Sequence, residues 1–427
     1  MFEAQAEKSR PTESLWKHAD FLKLWSAQTI SATGDQFTYL AVPLIATLML
    51  DASPRQMGVL APLGTAPFLL ISLFAGIWVD RLPRRPILII GDLGRALVLL
   101  SIPVAALAHS LKMRQLFIVE FLVGILSVFF EIAYQAYLPA LVDKQSLIEG
   151  NTKLAATQSL AGLIGPSLAG VVIQVVSAPS AIVLDAVSYF FSGGLVSMIG
   201  RRETHQPQGV RSPMLTEVRE GLAFVLGNPL LRSIAGCTGT FNFFFAAISA
   251  LYIIFATRGL GLGPARIGFI FGLGNVAGLL GAVGAGWLSA RLGLGRTIIG
   301  AIFLSGIGMV PIAFVTSGTA FSVLMLSRLL FSFATPVYNI NQISLRQSIT
   351  PHRLQGRMTA TMRFLVWGTL PLGGLAGGLL GADYWIAVRN RDCRHWRNVG
   401  FPMDIILTSA QSSVHSHAVG LNISGHP

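Results

Sequence analysis

The chain has 427 residues, of which 52% are hydrophobic and 12% charged, a balance that excludes an ordinary soluble globular domain and points to a polytopic membrane protein. Its net charge of +12 does not call for a nucleic-acid partner, because the lysines and arginines fall in alternate loops rather than on one face. Two cysteines, Cys237 and Cys393, have no metal-binding spacing, and all eight histidines lie outside the apolar runs. Neither a metal site, nor any other cofactor, nor a structural disulfide is expected.

Residues 1–20 are polar and read as a cytoplasmic segment, with no signal peptide. Apolar runs follow at 21–50, 56–79, 86–107, 116–138, 154–176 and 178–200, each long enough to cross a bilayer. Together they define an amino-terminal six-helix bundle over 21–200. A polar stretch over 201–229, with Arg201, Arg202, Arg211 and Arg219, reads as a cytoplasmic linker. The bundle of the second half, 230–382, offers runs at 231–256, 267–290, 297–315, 320–340 and 359–382. The fold class is therefore all-α, with six helices plus five. With the amino terminus inside, 19 Lys and Arg lie in inner segments and five (Arg55, Lys112, Arg114, Arg258, Arg266) in outer loops, which sets the orientation. The expected location is the cell membrane, as a multi-pass and monomeric protein.

The tail, 383–427, breaks this pattern. Arg389, Arg391, Asp392, Arg394 and Arg397 stand where a twelfth span would run, and no later apolar stretch is long enough to cross. Codons permitted for residues 383–407 can be read one nucleotide later as TTGLRSATATVGIGGTLGFLWILFS, a loop and an apolar span. The tail is thus expected to be either a frameshift product or a genuinely divergent end, which the underlying DNA distinguishes.

The two halves are related. Aligning 57–82 with 267–292, a constant offset of 210, gives nine identities in 26 positions, including Gly58/Gly268, Gly64/Gly274, Gly76/Gly286 and Arg81/Arg291. Such half-chain similarity is the mark of parallel repeats in a secondary transporter. In the first copy the repeat ends in a charged turn with Gly76, Asp80, Arg81, Arg84 and Arg85. Its glycine lets helices approach, while Asp80 and the arginines can make ion pairs and helix-end contacts that form when the inner face closes. A gating role follows, with topological anchoring as the plainer alternative. Asp92 and Arg95, three apart on one helix, can pair with each other and belong to this inner gate.

An ionisable side chain inside the bilayer is a functional candidate by default. From Gly221 to Ala382 there is no Asp or Glu, so a proton-carrying carboxylate must belong to the first half. Asp35, 14 residues into its helix and about 21 Å from the inner end at 1.5 Å per residue, is the first choice for proton coupling. A packing role is its alternative. Glu131, near mid-depth of the fourth helix, is the second choice. Asp185 and Glu120 lie nearer the outer ends of their helices and are expected to be wet.

These residues resemble the major facilitator superfamily over about 21–381, in particular the branch of proton-coupled exporters that includes macrolide efflux pumps and the enterobactin exporter. Gly76, Asp80, Arg81, Arg84 and Arg85 match its loop motif, with Pro83 where that motif has glycine. Gly162, Gly165, Pro166 and Gly170 resemble its antiporter motif, which by that resemblance forms a seam limiting leak; plain helix packing is the alternative. Two further stretches also fit, from Leu24 to Gln36 and from Arg346 to Arg357. In such a fold the pocket lies between the halves near mid-depth. Tyr39, Tyr134, Phe241, Asn242, Tyr338 and Asn341 supply aromatic faces and amide handles for a bulky amphipathic ligand, as do Phe37, Phe245, Tyr252 and Asn339. Arg328 can bind an anionic group or snorkel.

The chain has no phosphate-binding Gly-x-x-x-x-Gly-Lys-Ser/Thr loop and no catalytic constellation, so neither a primary pump nor an enzyme is expected. The resemblance implies export of drug-, macrolide- or siderophore-like molecules by proton antiport and alternating access. Uptake or facilitated diffusion would not need Asp35, and a chain lacking its last helix could be inactive. Small-molecule substrate, protons and lipid are the expected partners.

Overall fold

The computed structural model describes residues 15–143, 146–200 and 214–389, and no strand occurs among them. Within the third helix the side chains of Asp80 and Arg81 and the surroundings of Gly76 lie outside what is described, as do residues 390–427 of the tail.

The first half begins with α1 (Ala19–Leu44), whose Pro43 precedes a wide π turn over Ile45–Met49. Proline removes a helical donor, so the turn loosens where the chain leaves the bundle. The run expected as one helix over 56–79 is two, α2 (Pro54–Leu63) and α3 (Ala66–Arg81). Pro67 cannot donate to the preceding turn, and Gly64 and Thr65 fill the joint. A capping box starts α2: Ser53 Oγ accepts from Gln56 N at 3.3 Å and Gln56 Oε1 accepts from Ser53 N at 2.8 Å. Then come α4 (Arg84–Leu107), α5 (Met113–Leu141), α6 (Leu147–Val176) and α7 (Ala178–Ser197).

Within the stretch read as a linker, α8 (Met214–Gly227) forms, and Glu220 on it pairs with Arg357. The second half continues with α9 (Pro229–Ile254), α10 (Pro264–Leu292), α11 (Leu294–Ile307), α12 (Ala320–Ile349), α13 (Gln355–Trp367) and α14 (Thr369–Arg389). The expected run over 359–382 is thus also broken, at Gly368, and its second segment reaches into the arginine-bearing stretch. Nine helices among the described residues are long and apolar enough to cross a membrane.

Packing differs between the two ends of the molecule. Toward the end carrying Asp51 and Arg258, one continuous apolar core joins both halves, with Leu44, Met57, Leu116 and Ile173 of the first packed with Leu251, Ile267 and Leu324 of the second. Toward the opposite end the core divides. Phe21, Leu88 and Tyr137 belong to a cluster of the first half, while Leu231 with Met362 and Ile302 with Tyr338 belong to two clusters of the second.

Glycines make the joined end possible. A Cβ on Gly170 of α6 would lie 2.6 Å from the Pro264 carbonyl oxygen and 2.9 Å from the Gly268 Cα of α10. One on Gly378 of α14 would lie 2.6 Å from the Gly58 Cα of α2. Backbones approach that closely only where side chains are absent on both sides. Arg258 adds a polar tie across the halves: it donates to the Ala52 carbonyl at 2.9 Å and to the Thr47 carbonyl, and pairs with Asp51 at 2.7 Å.

Candidate functional site

Three acids of the first half gather around one base. On α1, Asp35 accepts a hydrogen bond from the Tyr189 hydroxyl of α7 at 2.5 Å. Arg95 of α4 donates to that same hydroxyl at 3.3 Å and pairs with Asp92 at 2.5 Å. Asp92 also accepts from Ser192 at 2.6 Å. Asp185 of α7 accepts from Thr38 of α1 and from Ser188. The guanidinium of Arg95 lies 4.2 Å from the Phe130 ring centre and 4.1 Å from that of Tyr189, so aromatic faces complete its shell.

Asp92 and Asp185 are fully buried and Arg95 is 5% exposed. The expectation that Asp185 is wet is therefore corrected: Gly34 leaves room beside it, since a Cβ there would lie 2.5 Å from its Oδ1. Asp92 and Arg95 stand with Asp35, joined through Tyr189, rather than apart at the charged turn. Removing either partner of this buried pair would cost about 3–5 kcal/mol, because the other charge would be stranded. Of the turn itself, Arg85 donates to the Val196 and Ser197 carbonyls at the end of α7.

Between the halves lies a cavity of about 240 Å³ lined by Tyr39, Glu120, Phe245, Tyr252, Phe271, Phe331 and Arg328, among others. Its walls are stacked rings: Phe245 and Phe331 are parallel at 4.9 Å, and Phe271 meets Tyr252 edge-on at 5.6 Å and Tyr39 at 6.1 Å. A second space of about 450 Å³ shares Tyr39, Glu120, Phe271 and Arg328 with the first and also reaches Asp35, Asp185 and Tyr189. The acid cluster and the aromatic cavity therefore touch.

Tyr39 and Arg328 are in the cavity, as are Phe245 and Tyr252; the other pocket candidates stand elsewhere. Asn242 donates to the Val366 carbonyl at 3.1 Å. Buried Asn341 donates to the Val337 and Ala285 carbonyls at 2.8 and 3.4 Å. Tyr338 shares a hydrogen bond with Thr238 at 2.5 Å. Their amide nitrogens and hydroxyl are engaged between and within helices, and none of the three lines the cavity, contrary to the expectation that they serve as ligand handles. Phe241 stacks behind Phe331, and Tyr134 stacks on Phe130. Glu131 is exposed and accepts from Gln135 at 3.1 Å, one turn along the same helix, apart from the cluster's hydrogen bonds.

The glycine-proline motif of α6 forms the seam with α10 on one side and α1 on the other. The Gly162 carbonyl accepts from Asn275, Ser167 Oγ donates to the Gly268 carbonyl at 3.5 Å, and Gln36 of α1 packs over Gly165. Phe271 and Phe331 were not evident in the sequence, where aromatic residues are too common in membrane helices to single out two.

Two related helix bundles, cavity-lining rings contributed by both, and acids at the cavity wall define a multi-pass membrane transporter rather than an enzyme. The sequence model of the Major Facilitator Superfamily matches residues 24–398, and the chain belongs to that superfamily. It is 26% identical over 377 residues to the multidrug efflux pump Tap of Mycolicibacterium fortuitum, covering 85% of this chain and 90% of that protein. Against macrolide efflux protein A of Streptococcus pyogenes it is 22% identical over 380 residues, covering 87% and 92%. Among solved structures, a bacterial homologue of the iron transporter ferroportin in an inward-facing state superposes with a TM-score of 0.71 at 18% identity, covering 95% of this chain and 98% of that one. The nucleoside transporter NupG gives 0.70 at 14%, covering 96% and 100%.

Proposed function

We propose that the chain exports amphipathic small molecules of drug or macrolide type across the cell membrane, driven by inward proton flow. The observation that carries this reading is the acid cluster in the wall of the cavity. Three carboxyl groups face one guanidinium, so full ionisation leaves two negative charges in excess in a buried site. Uncompensated buried charge costs several kcal/mol, and a proton is the smallest counter-charge that can relieve it. The relatives named as multidrug and macrolide efflux proteins support the export direction and the substrate class.

With the amino terminus inside, the glycine-packed end is the outer one, and the divided end opens to the cytoplasm. Substrate would enter the cavity from that side. When the outer end opens, a proton reaches Asp35. Its neutralisation weakens the charge-assisted bond from Tyr189 and so loosens α1 from α4 and α7, three helices whose arrangement can differ between the two states. Return to the inward-open state delivers the proton inward. The turn arginines and the α6 seam act in this scheme as gate and leak barrier.

Everted membrane vesicles holding the protein test this directly. An acid-inside gradient should drive accumulation of radiolabelled erythromycin or of ethidium, nigericin should abolish it, and Asp35→Asn should remove the gradient dependence. Gradient-independent uptake, or unchanged coupling in Asp35→Asn, would defeat the proposal.

A further inference from the structure

Position along its helix predicts a wet Glu120, but the side chain lines both spaces between the halves. It makes no hydrogen bond or ion pair with any described residue. Arg328 lines the same two spaces from the other half, with its guanidinium 4.5 Å from the Phe271 ring centre and its buried Nε without a hydrogen-bond partner among the described residues. Two opposite charges thus face one aromatic cavity, each lacking a polar partner.

Their placement is close to the internal repeat, whose offset of 210 carries Glu120 to Leu330, two residues from Arg328. Glu120 lies seven residues after the start of α5 and Arg328 eight after the start of α12, so both stand roughly 10–12 Å along their helices at 1.5 Å per residue. The repeated glycine pair makes room for each. A Cβ on Gly64 would lie 2.8 Å from Glu120 Oε2, and one on Gly274 would lie 2.5 Å from Arg328 Cγ and 2.9 Å from its Nε. Both halves therefore use the equivalent glycine to seat a charged side chain at similar depth, an acid in the first and a base in the second.

We infer that this cavity takes dipolar amphiphiles, molecules with a cationic nitrogen at one end, an anionic oxygen group at the other and an aromatic body between. The nitrogen end lies against Glu120, the anionic end against Arg328 through charge-assisted bonds, and the body between Tyr39, Phe271 and Phe331. A purely cationic ligand such as ethidium satisfies Glu120 alone and leaves Arg328 unpaired beside a like charge, so it binds the same cavity more weakly than a dipolar one. The inference rests on the export reading for its biological use, but binding alone tests it.

The probes are rhodamine B, a zwitterion with a free carboxylate, and its ethyl ester, the same dye as a cation. Fluorescence polarisation with the purified full chain in nanodiscs, without any gradient, keeps failure of this inference separate from failure of proton coupling. Wild type should bind the acid about tenfold more tightly than the ester, the scale of one charge-assisted hydrogen bond. Arg328→Gln should bring the ratio to about one by weakening the acid and by relieving the ester of a like charge, Arg328→Lys should retain the preference, and Glu120→Gln should weaken both dyes. Thermal unfolding of each variant identifies any that misfold, and the wild-type ratio stands without them. Absence of acid binding, equal binding of the two dyes to wild type, or a preference that survives Arg328→Gln would overturn the inference.

Discussion

Gly170→Leu should open the joined end of the molecule. The Gly170 position faces backbone, with the Pro264 carbonyl oxygen 2.6 Å and the Gly268 Cα 2.9 Å from where a Cβ would sit. Neither neighbour is the end of a flexible side chain, so the helices α6 and α10 must separate. Overpacking of this kind costs about 1–3 kcal/mol, and the cost falls only on the state in which the two helices touch. A shift of that size is roughly 5- to 150-fold in an equilibrium. A population of about 99:1 in favour of the joined end would move to between about 20:1 and about 1:1.5. Spin labels at positions 112 and 266, in a background lacking Cys237 and Cys393, report the distance across that end by pulsed electron resonance. A new long-distance population in Gly170→Leu is expected. An unchanged distribution in a folded, monodisperse protein would refute the claim that glycine packing closes this end.

Other variants probe other links. Arg258→Ala removes the polar tie to the Thr47 and Ala52 carbonyls and to Asp51, whose side chain is 94% exposed. Because an exposed ion pair is worth about 0–1 kcal/mol, the same labels should show a smaller opening than in Gly170→Leu. Tyr189→Phe keeps the ring beside Arg95 but deletes the hydroxyl between Arg95 and Asp35, and should lower stability by about 1–3 kcal/mol in thermal unfolding while weakening gradient-driven efflux. Asn341→Ala should cost about 1–3 kcal/mol in the same unfolding assay and leave dye selectivity unaltered, since its amide binds helix carbonyls. Replacing residues 383–427 with the chain read one nucleotide later should raise the amount of protein in the membrane, measured by quantitative blotting, if the tail is a frameshift product.

Much of the helical order was legible in the sequence because each apolar run had to satisfy its own backbone in lipid. The breaks were less legible. Gly64, Thr65 and Gly368 interrupt runs whose hydropathy is continuous, and hydropathy does not register where proline and glycine redirect the axis. Asp35 and Arg328 stood out as charges in apolar surroundings. Asp185 and Glu120 stood out equally, but depth along a helix says nothing of which face is covered. What covers Asp185 is Thr38 and Ser188, and what admits Glu120 is Gly64; neither relation is visible until α1 meets α7 and the α2–α3 joint meets α5. Asn341 and Tyr338 had the chemistry of ligand handles but their partners were helix carbonyls and Thr238. In a bilayer, polar side chains also hold helices together by hydrogen bonds between them.

Proton coupling can be read in proteoliposomes holding a pH-sensitive dye, with erythromycin or ethidium gradients imposed and no pH gradient at the start. Substrate movement through the wild-type protein should drive protons the opposite way, giving a pH change in the lumen that Asp35→Asn abolishes while the substrate still binds. Substrate flux with no accompanying proton movement, or proton movement that persists in Asp35→Asn, would contradict proton antiport through Asp35.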